Sequence, residues 1–107
     1  MKVTKVDGMY KASRTTGPKH NYLGLVLVSA PVITPELNAR VMNGEPAVID
    51  EARLISAVRG GIAEANQTTK YNLYAQSIEY VVSDTPDYAA YATLAKTIVE
   101  AAAAELT

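Results

Sequence analysis

The sequence contains no cysteine, which excludes disulfide bonds, thiolate metal sites and a cysteine nucleophile. No apolar run approaches the roughly 18 residues that a membrane helix needs. The first residues, Met1 to Lys5, also lack the apolar segment of a signal peptide. We therefore expect a protein of a reducing, cytoplasmic compartment that has no contact with a membrane.

The motifs of the common enzyme classes are absent as well. The chain has no P-loop and no GxGxxG, GxSxG, HExxH or CxxC pattern. It has one histidine, His20, and its carboxylates are not clustered at the spacing of metal ligands. We predict no catalytic residue, no metal and no cofactor. A small enzyme that pairs His20 with a carboxylate remains an alternative, because histidine titrates near neutral pH.

The overall composition is that of an ordinary globular protein. Hydrophobic residues make up 49% of the chain and charged residues 20%, far from the composition of disordered proteins. A length of 107 residues suits one hydrophobic core, because two cores would leave each half too small to offset its loss of conformational entropy. We predict a single domain over residues 1–107.

Charge is divided unevenly along the chain, although the net charge is only −1. Residues 1–20 carry a net charge of +4, and residues 21–107 carry −5. The candidate binding residues of the basic part are Lys11, Arg14, Lys19 and His20, which would attract an acidic protein or RNA. The alternative is an ordinary solvated surface that binds nothing.

Turn signals and alternating patterns predict three strands in the first third of the chain. Val3–Val6 and Met9–Ser13 flank Asp7-Gly8, a dipeptide that supplies the positive φ angles of a type I′ turn, so they form a hairpin. A loop over residues 14–21 follows, because it contains Gly-Pro. The strand over residues 22–29 is apolar on both faces and is therefore expected at the centre of a sheet.

Helix start signals occur at three places. Thr34-Pro35-Glu36 combines a cap residue, a proline and an acid, and predicts a short helix that ends at Asn43-Gly44. Residues 50–65 have the 3.6-residue period of a core helix, in which Gly61 indicates a close approach to the sheet or a kink. Thr85-Pro86-Asp87 repeats the first signature and predicts a final helix.

A strand over residues 70–82 lies between the two long helices, and its alternation places Tyr74, Ile78 and Tyr80 on one face. The predicted fold is α+β, a two-layer β-β-β-α-β-α arrangement in which helices cover one face of an about four-stranded sheet. Tyr74, Ile78 and Tyr80 would then form an apolar interface on the open sheet face. The alternative is that the faces are reversed or that residues 14–21 cover them.

This order of elements resembles the ribosomal protein S5 domain 2-like fold. The segment Ala57 to Ala65, the strand ending near Val82 and the alanine-rich last helix are similar to elements in domain IV of the translocation elongation factor G family. The similarity spans residues 22–105 and includes no diagnostic motif. It implies a fold and an association with RNA-related proteins.

The segment from Tyr10-Lys11 to Gly17-Pro18-Lys19-His20-Asn21 resembles the first hairpin of double-stranded-RNA-binding domains. The resemblance implies that Pro18 and His20 occupy loop positions that touch the RNA minor groove. No helix precedes this hairpin, and no lysine-rich helix start follows the strands. The phosphate-binding half of that family's site is therefore missing.

Taken together, these features predict a non-enzymatic interaction protein that binds a protein partner or itself. Binding would use the open sheet face, the basic N-terminal hairpin that carries Lys11, Arg14, Lys19 and His20, or both. Seven tyrosines without tryptophan or phenylalanine suit such a surface, since tyrosine combines contact area with a polar tip. The alternatives are an RNA- or ribosome-associated domain that uses the basic hairpin, and a small enzyme that uses His20.

Overall fold

The computed structural model describes residues 2–106, which form five strands and two helices. In chain order these are β1 (Thr4–Val6), β2 (Met9–Thr16), β3 (Lys19–Val28), β4 (Glu36–Arg40), α1 (Glu51–Asn66), β5 (Tyr74–Val81) and α2 (Tyr88–Leu106). Both helices pack on the same side of one sheet. The predicted two-layer α+β class is confirmed, with five strands instead of about four.

The strands form a mixed sheet in the order β1-β2-β3-β5-β4. Neighbouring strands are antiparallel except for β4, which runs parallel to β5. Parallel neighbours need a crossover connection, and α1 supplies it between β4 and β5. β1 and β4 are therefore the edges of the sheet.

The first two hairpins differ in how well local signals predict them. The turn between β1 and β2 is confirmed, since Asp7 and Gly8 have φ angles of 51° and 81°. The loop predicted over residues 14–21 is wrong, because the chain reverses within Gly17-Pro18 and strand pairing extends to Thr16 opposite Lys19. These residues therefore belong to the sheet and do not cover it.

The short helix predicted after Thr34 is also wrong, because this segment forms β4. Composition favours a helix there by only tenths of a kcal/mol per residue, and a cap residue adds only about 1 kcal/mol. As a strand, the segment forms backbone hydrogen bonds with β5. At its end, the Val82 N–H donates to the Arg40 carbonyl at 3.0 Å. Pairing with β5 satisfies these backbone groups and outweighs the local preference.

The two long helices are confirmed, but α2 begins at Tyr88 and is capped by Asp87, two residues after the predicted cap Thr85. The Asp50 carboxylate accepts the Arg53 N–H at 3.0 Å at the start of α1, and Asp87 accepts the Ala90 N–H at 3.3 Å at the start of α2. Of the predicted apolar stripes, Ile55 is half-buried and packs against the core. The other predicted positions are buried, namely Leu54, Val58, Ile62, Ala65, Tyr91, Leu94, Ala95, Ile98 and Ala102. They form one core with the covered face of the sheet.

A β-bulge decides which side chains of β5 enter this core. Val26 of β3 lies opposite Ser77, but the next residue, Leu27, lies opposite Ala75. Gln76 is thus an extra residue in β5. It reverses the alternation of side chains along the strand.

Ile78 and Tyr80 consequently face the helices. Ile78 has no exposed area, Tyr80 is 2% exposed, and the Tyr80 hydroxyl donates to the Glu51 carboxylate at 2.5 Å. The prediction that both lie on an open sheet face is wrong, because the bulge separates them from Tyr74. Tyr74 is half-buried and lies opposite Val28, on the other side of the sheet.

The two helices contact each other at Gly61. A Cβ atom at this position would lie 2.1 Å from the Ala92 carbonyl oxygen and 3.1 Å from the Ala95 Cβ. The close approach expected at Gly61 exists, but its neighbour is α2 and not the sheet. A Cβ on the preceding Gly60 would meet no atom within 4 Å.

Substitution of the two glycines tests this contact. Gly61→Ala is expected to lower the free energy of unfolding by about 1–3 kcal/mol, because the methyl group forces α1 and α2 apart. Gly60→Ala is the matched control and should raise it by about 1 kcal/mol through helix propensity alone. Urea unfolding followed by circular dichroism measures both. Equal effects of the two variants would contradict the contact.

Candidate functional site

The side of the sheet opposite the helices, called the open face below, is not covered by any element within residues 2–106. Many of its side chains are half-buried, because neighbours on adjacent strands shield one another. Strand register assigns to it, among others, Val6, Met9, Lys11, Ser13, His20, Tyr22, Val26, Val28, Glu36, Asn38, Arg40, Tyr74, Ser77 and Glu79. The open face therefore combines apolar area with charges of both signs.

Three side chains converge at the centre of the open face, over Gly24 of β3. A Cβ atom at this position would lie 2.7 Å from the Met9 sulfur, 3.0 Å from the Tyr22 hydroxyl and 3.3 Å from the Glu79 Cβ. A glycine inside a strand often marks such a close approach. The missing side chain lets Met9, Tyr22 and Glu79 pack onto the backbone of β3.

Tyr22 links the charges of the open face. Its hydroxyl donates to the Glu79 carboxylate. Burial and the adjacent Glu79 carboxylate raise the pKa of Tyr22 above its ordinary value, so the phenol keeps its proton at neutral pH. The Arg40 guanidinium lies over the ring, 5.6 Å from its centroid. Glu79 is thus a partner of Tyr22 on the open face.

The predicted basic site is divided between the two sides of the sheet. Lys11 and His20 belong to the open side by register, whereas Arg14 and Lys19 belong to the helix side. The Lys19 amine also lies 3.7 Å from the Asp87 carboxylate. Folding therefore does not gather the four predicted residues into one patch.

The charge asymmetry of the sequence is also reduced by folding. The Lys5 amine lies 3.5 Å from the Glu105 carboxylate near the end of α2, in addition to the pair of Lys19 with Asp87. Such exposed pairs add little to stability. They do place negative charge beside the basic strands, which weakens the field that would attract phosphates.

A cleft of about 340 Å³ lies beside the open face, where the chain leaves β5. It contains His20 together with Asp84 and Glu45, as the enzyme alternative requires. The His20 Nδ1 atom, however, lies 3.0 Å from the Thr15 hydroxyl. Within residues 2–106, no hydrogen bond joins the His20 ring to either carboxylate. The cleft therefore lacks a base held by an orienting carboxylate.

Asp84 lies at the buried side of this cleft and is 6% exposed. Its carboxylate accepts the Tyr22 backbone N–H at 2.8 Å. Burial raises the pKa of Asp84, and the hydrogen bond from Tyr22 opposes that rise. Asp84 thus ties β3 to the turn between β5 and α2.

Sequence reasoning misses Tyr22, Gly24 and Arg40 as site residues. Gly24 carries the one available signal, since it interrupts an otherwise apolar strand. Arg40 has no such signal, because its segment has the pattern of a helix. The importance of Tyr22 depends on Glu79, which is distant in sequence and adjacent only in the folded sheet.

Asp84→Asn is expected to stabilise the protein near neutral pH, because it removes a buried charge and keeps an oxygen that can accept the Tyr22 N–H. Burial raises the folded-state pKa of Asp84 above its ordinary value of 3.8. The contribution of Asp84 to stability should therefore become more favourable as the pH falls through its raised pKa, so that wild type gains on the variant.

Thermal unfolding between about pH 7 and about pH 3 compares the two proteins. The advantage of the variant should be largest at neutral pH and absent below the ordinary pKa of Asp84. Glu100→Gln, at an exposed position of α2, controls for the loss of one negative charge. An advantage that does not change with pH would contradict the assignment to Asp84.

No helix within residues 2–106 is long and apolar enough to cross a membrane. In the same part of the chain, no group of three or more histidine, aspartate or glutamate side chains is placed to hold a metal ion. No protein-family model matches the chain, and no curated protein matches it significantly. The open face and its contacts are therefore the basis on which function is proposed.

Proposed function

We propose that this protein is a non-enzymatic interaction protein whose open face binds another protein. The observation that carries the proposal is the centre of that face, where Met9, Tyr22 and Glu79 converge over Gly24 and Arg40 lies on the Tyr22 ring. Tyrosine, arginine and methionine are the side chains that protein interfaces favour. Tyrosine and arginine also dominate binding energy where they are held in place.

The fixed geometry of the centre supports the proposal. The hydrogen bond from Tyr22 to Glu79 and the packing of Met9 over Gly24 restrain these side chains before a partner arrives. Association then costs less conformational entropy than it would with mobile side chains. The strands beneath are held on both sides by neighbouring strands.

The surroundings of the centre indicate the chemistry of the partner. Val26, Val28 and Tyr74 add apolar area on one side, and Lys11 adds a positive charge on the other. Such a mixture complements a protein surface that has apolar area and both signs of charge. RNA would require a dominant positive field, which Glu79 at the centre opposes.

A photo-crosslinking amino acid at Val26 tests the proposal in cells that make the protein. We expect adducts with a specific protein, because position 26 lies on the open face. The same amino acid at Glu100, on the exposed side of α2, should not yield them. The captured protein, once purified, should bind the wild type directly in calorimetry.

Substitutions then localise the binding energy. Tyr22→Ala and Val26→Asp should each weaken the affinity by at least about tenfold, whereas Glu100→Ala should leave it unchanged. Circular dichroism verifies that each variant is folded. Adducts with RNA alone, adducts with a second copy of this chain, or an affinity that Val26→Asp does not change would each overturn the proposal.

A further inference from the structure

The outer edge of β4 has unpaired backbone groups. β4 ends the sheet, and no strand within residues 2–106 pairs with its outer side. Sheet edges recruit further strands unless short length, unmatched charges, prolines or bulges prevent it. β4 has five residues, and its two charges, Glu36 and Arg40, have opposite signs. The sequence of β4, Glu36–Arg40, contains neither lysine nor proline. This edge is therefore open to another strand.

The hydrogen bonds to β5 show which backbone groups point outward. The Arg40 carbonyl accepts the Val82 N–H on the β5 side. Backbone groups alternate sides along a strand, so those of Asn38 also face β5. The N–H and C=O groups of Leu37 and Ala39 therefore face outward, and Ala39 is exposed.

The side chains of β4 are complementary to a second copy of the same strand. Glu36 and Arg40 lie equally far from Asn38 and have opposite charges. When two copies pair antiparallel about Asn38, Glu36 of one copy lies opposite Arg40 of the other. Among the described residues, neither side chain has an ion-pair partner within its own chain.

The same register also satisfies the outward backbone groups. It places Leu37 of one copy opposite Ala39 of the other, and both residues expose their N–H and C=O groups on that edge. In an antiparallel pair, such residues exchange both hydrogen bonds. Side-chain charge and backbone hydrogen bonding thus select one and the same alignment.

Exposed apolar side chains flank β4 on both sides. Ile33 is 93% exposed, Val41 is 68% exposed and Met42 is 43% exposed. In the alignment about Asn38, the exposed Val41 of one copy lies beside Pro35 of the other, which is itself buried within its own chain. Pairing of two copies would therefore cover part of the Val41 side chain that is otherwise in contact with water.

We propose that the protein forms a symmetric dimer through antiparallel pairing of β4 with β4 of a second copy. The dimer axis is perpendicular to the sheet, so the two sheets become one and both open faces lie on the same side. This interface is smaller than the usual roughly 800 Å² per partner. We therefore expect a dissociation constant on the order of micromolar.

Charge reversal tests the register by sedimentation equilibrium over a concentration series. Glu36→Arg and Arg40→Glu each place like charges opposite each other and should weaken the dimer at least about tenfold. The double variant E36R/R40E restores opposite charges and should recover the dimer. An equimolar mixture of the two single variants should form a heterodimer, because its ion pairs are again complementary.

Two further variants separate this edge from the open face. Ala39→Pro removes an outward N–H that β5 does not use and should abolish the dimer, with folding verified by circular dichroism. Lys11→Glu is the control, since it reverses a charge on β2 and should leave the dimer intact. A wild type that remains monomeric to about 1 mM would overturn the proposal. So would a dimer that persists in the single reversals, or a mixture that does not associate.

Discussion

The backbone of α2 passes so close to α1 at Gly61 that a methyl group there would overlap the Ala92 carbonyl. This contact holds both helices side by side, with α1 against β5 and α2 against β2 and β3. Two helices packed in this way cover only one side of the sheet. The open face follows from this arrangement, whereas the edge at β4 follows from the strand order.

The two proposed binding surfaces use different interactions and would support each other. The open face offers side chains that are held in place around Tyr22, whereas β4 offers backbone hydrogen bonds and the opposite charges of Glu36 and Arg40. Arg40 belongs to both surfaces, because it lies over the Tyr22 ring and at the sheet edge. A dimer would present two open faces to a partner that carries two binding segments, and such a partner would gain avidity.

Local signals predict those parts of the fold whose energetics are themselves local. Asp7-Gly8 adopts the backbone angles of its turn, and α1 begins at Glu51, one residue from its predicted start, because neighbouring residues alone determine these conformations. The Thr-Pro-acid signature shows the limit of such reasoning. At Thr85 it precedes α2, but at Thr34 it precedes β4, where backbone pairing with β5 replaces the helix.

By itself, the sequence determined the α+β class, the two long helices with their buried stripes, and a central apolar strand, since periodicity and caps act within a few residues. Only the tertiary structure decided that residues 36–40 form a strand, that Ile78 and Tyr80 face the helices, and that Tyr22 is hydrogen-bonded to Glu79. Each of these depends on a strand pairing between distant segments, and a single extra residue at Gln76 reverses an entire face. The basic residues illustrate the same point, because register separates Lys11 from Arg14 although they are close in sequence.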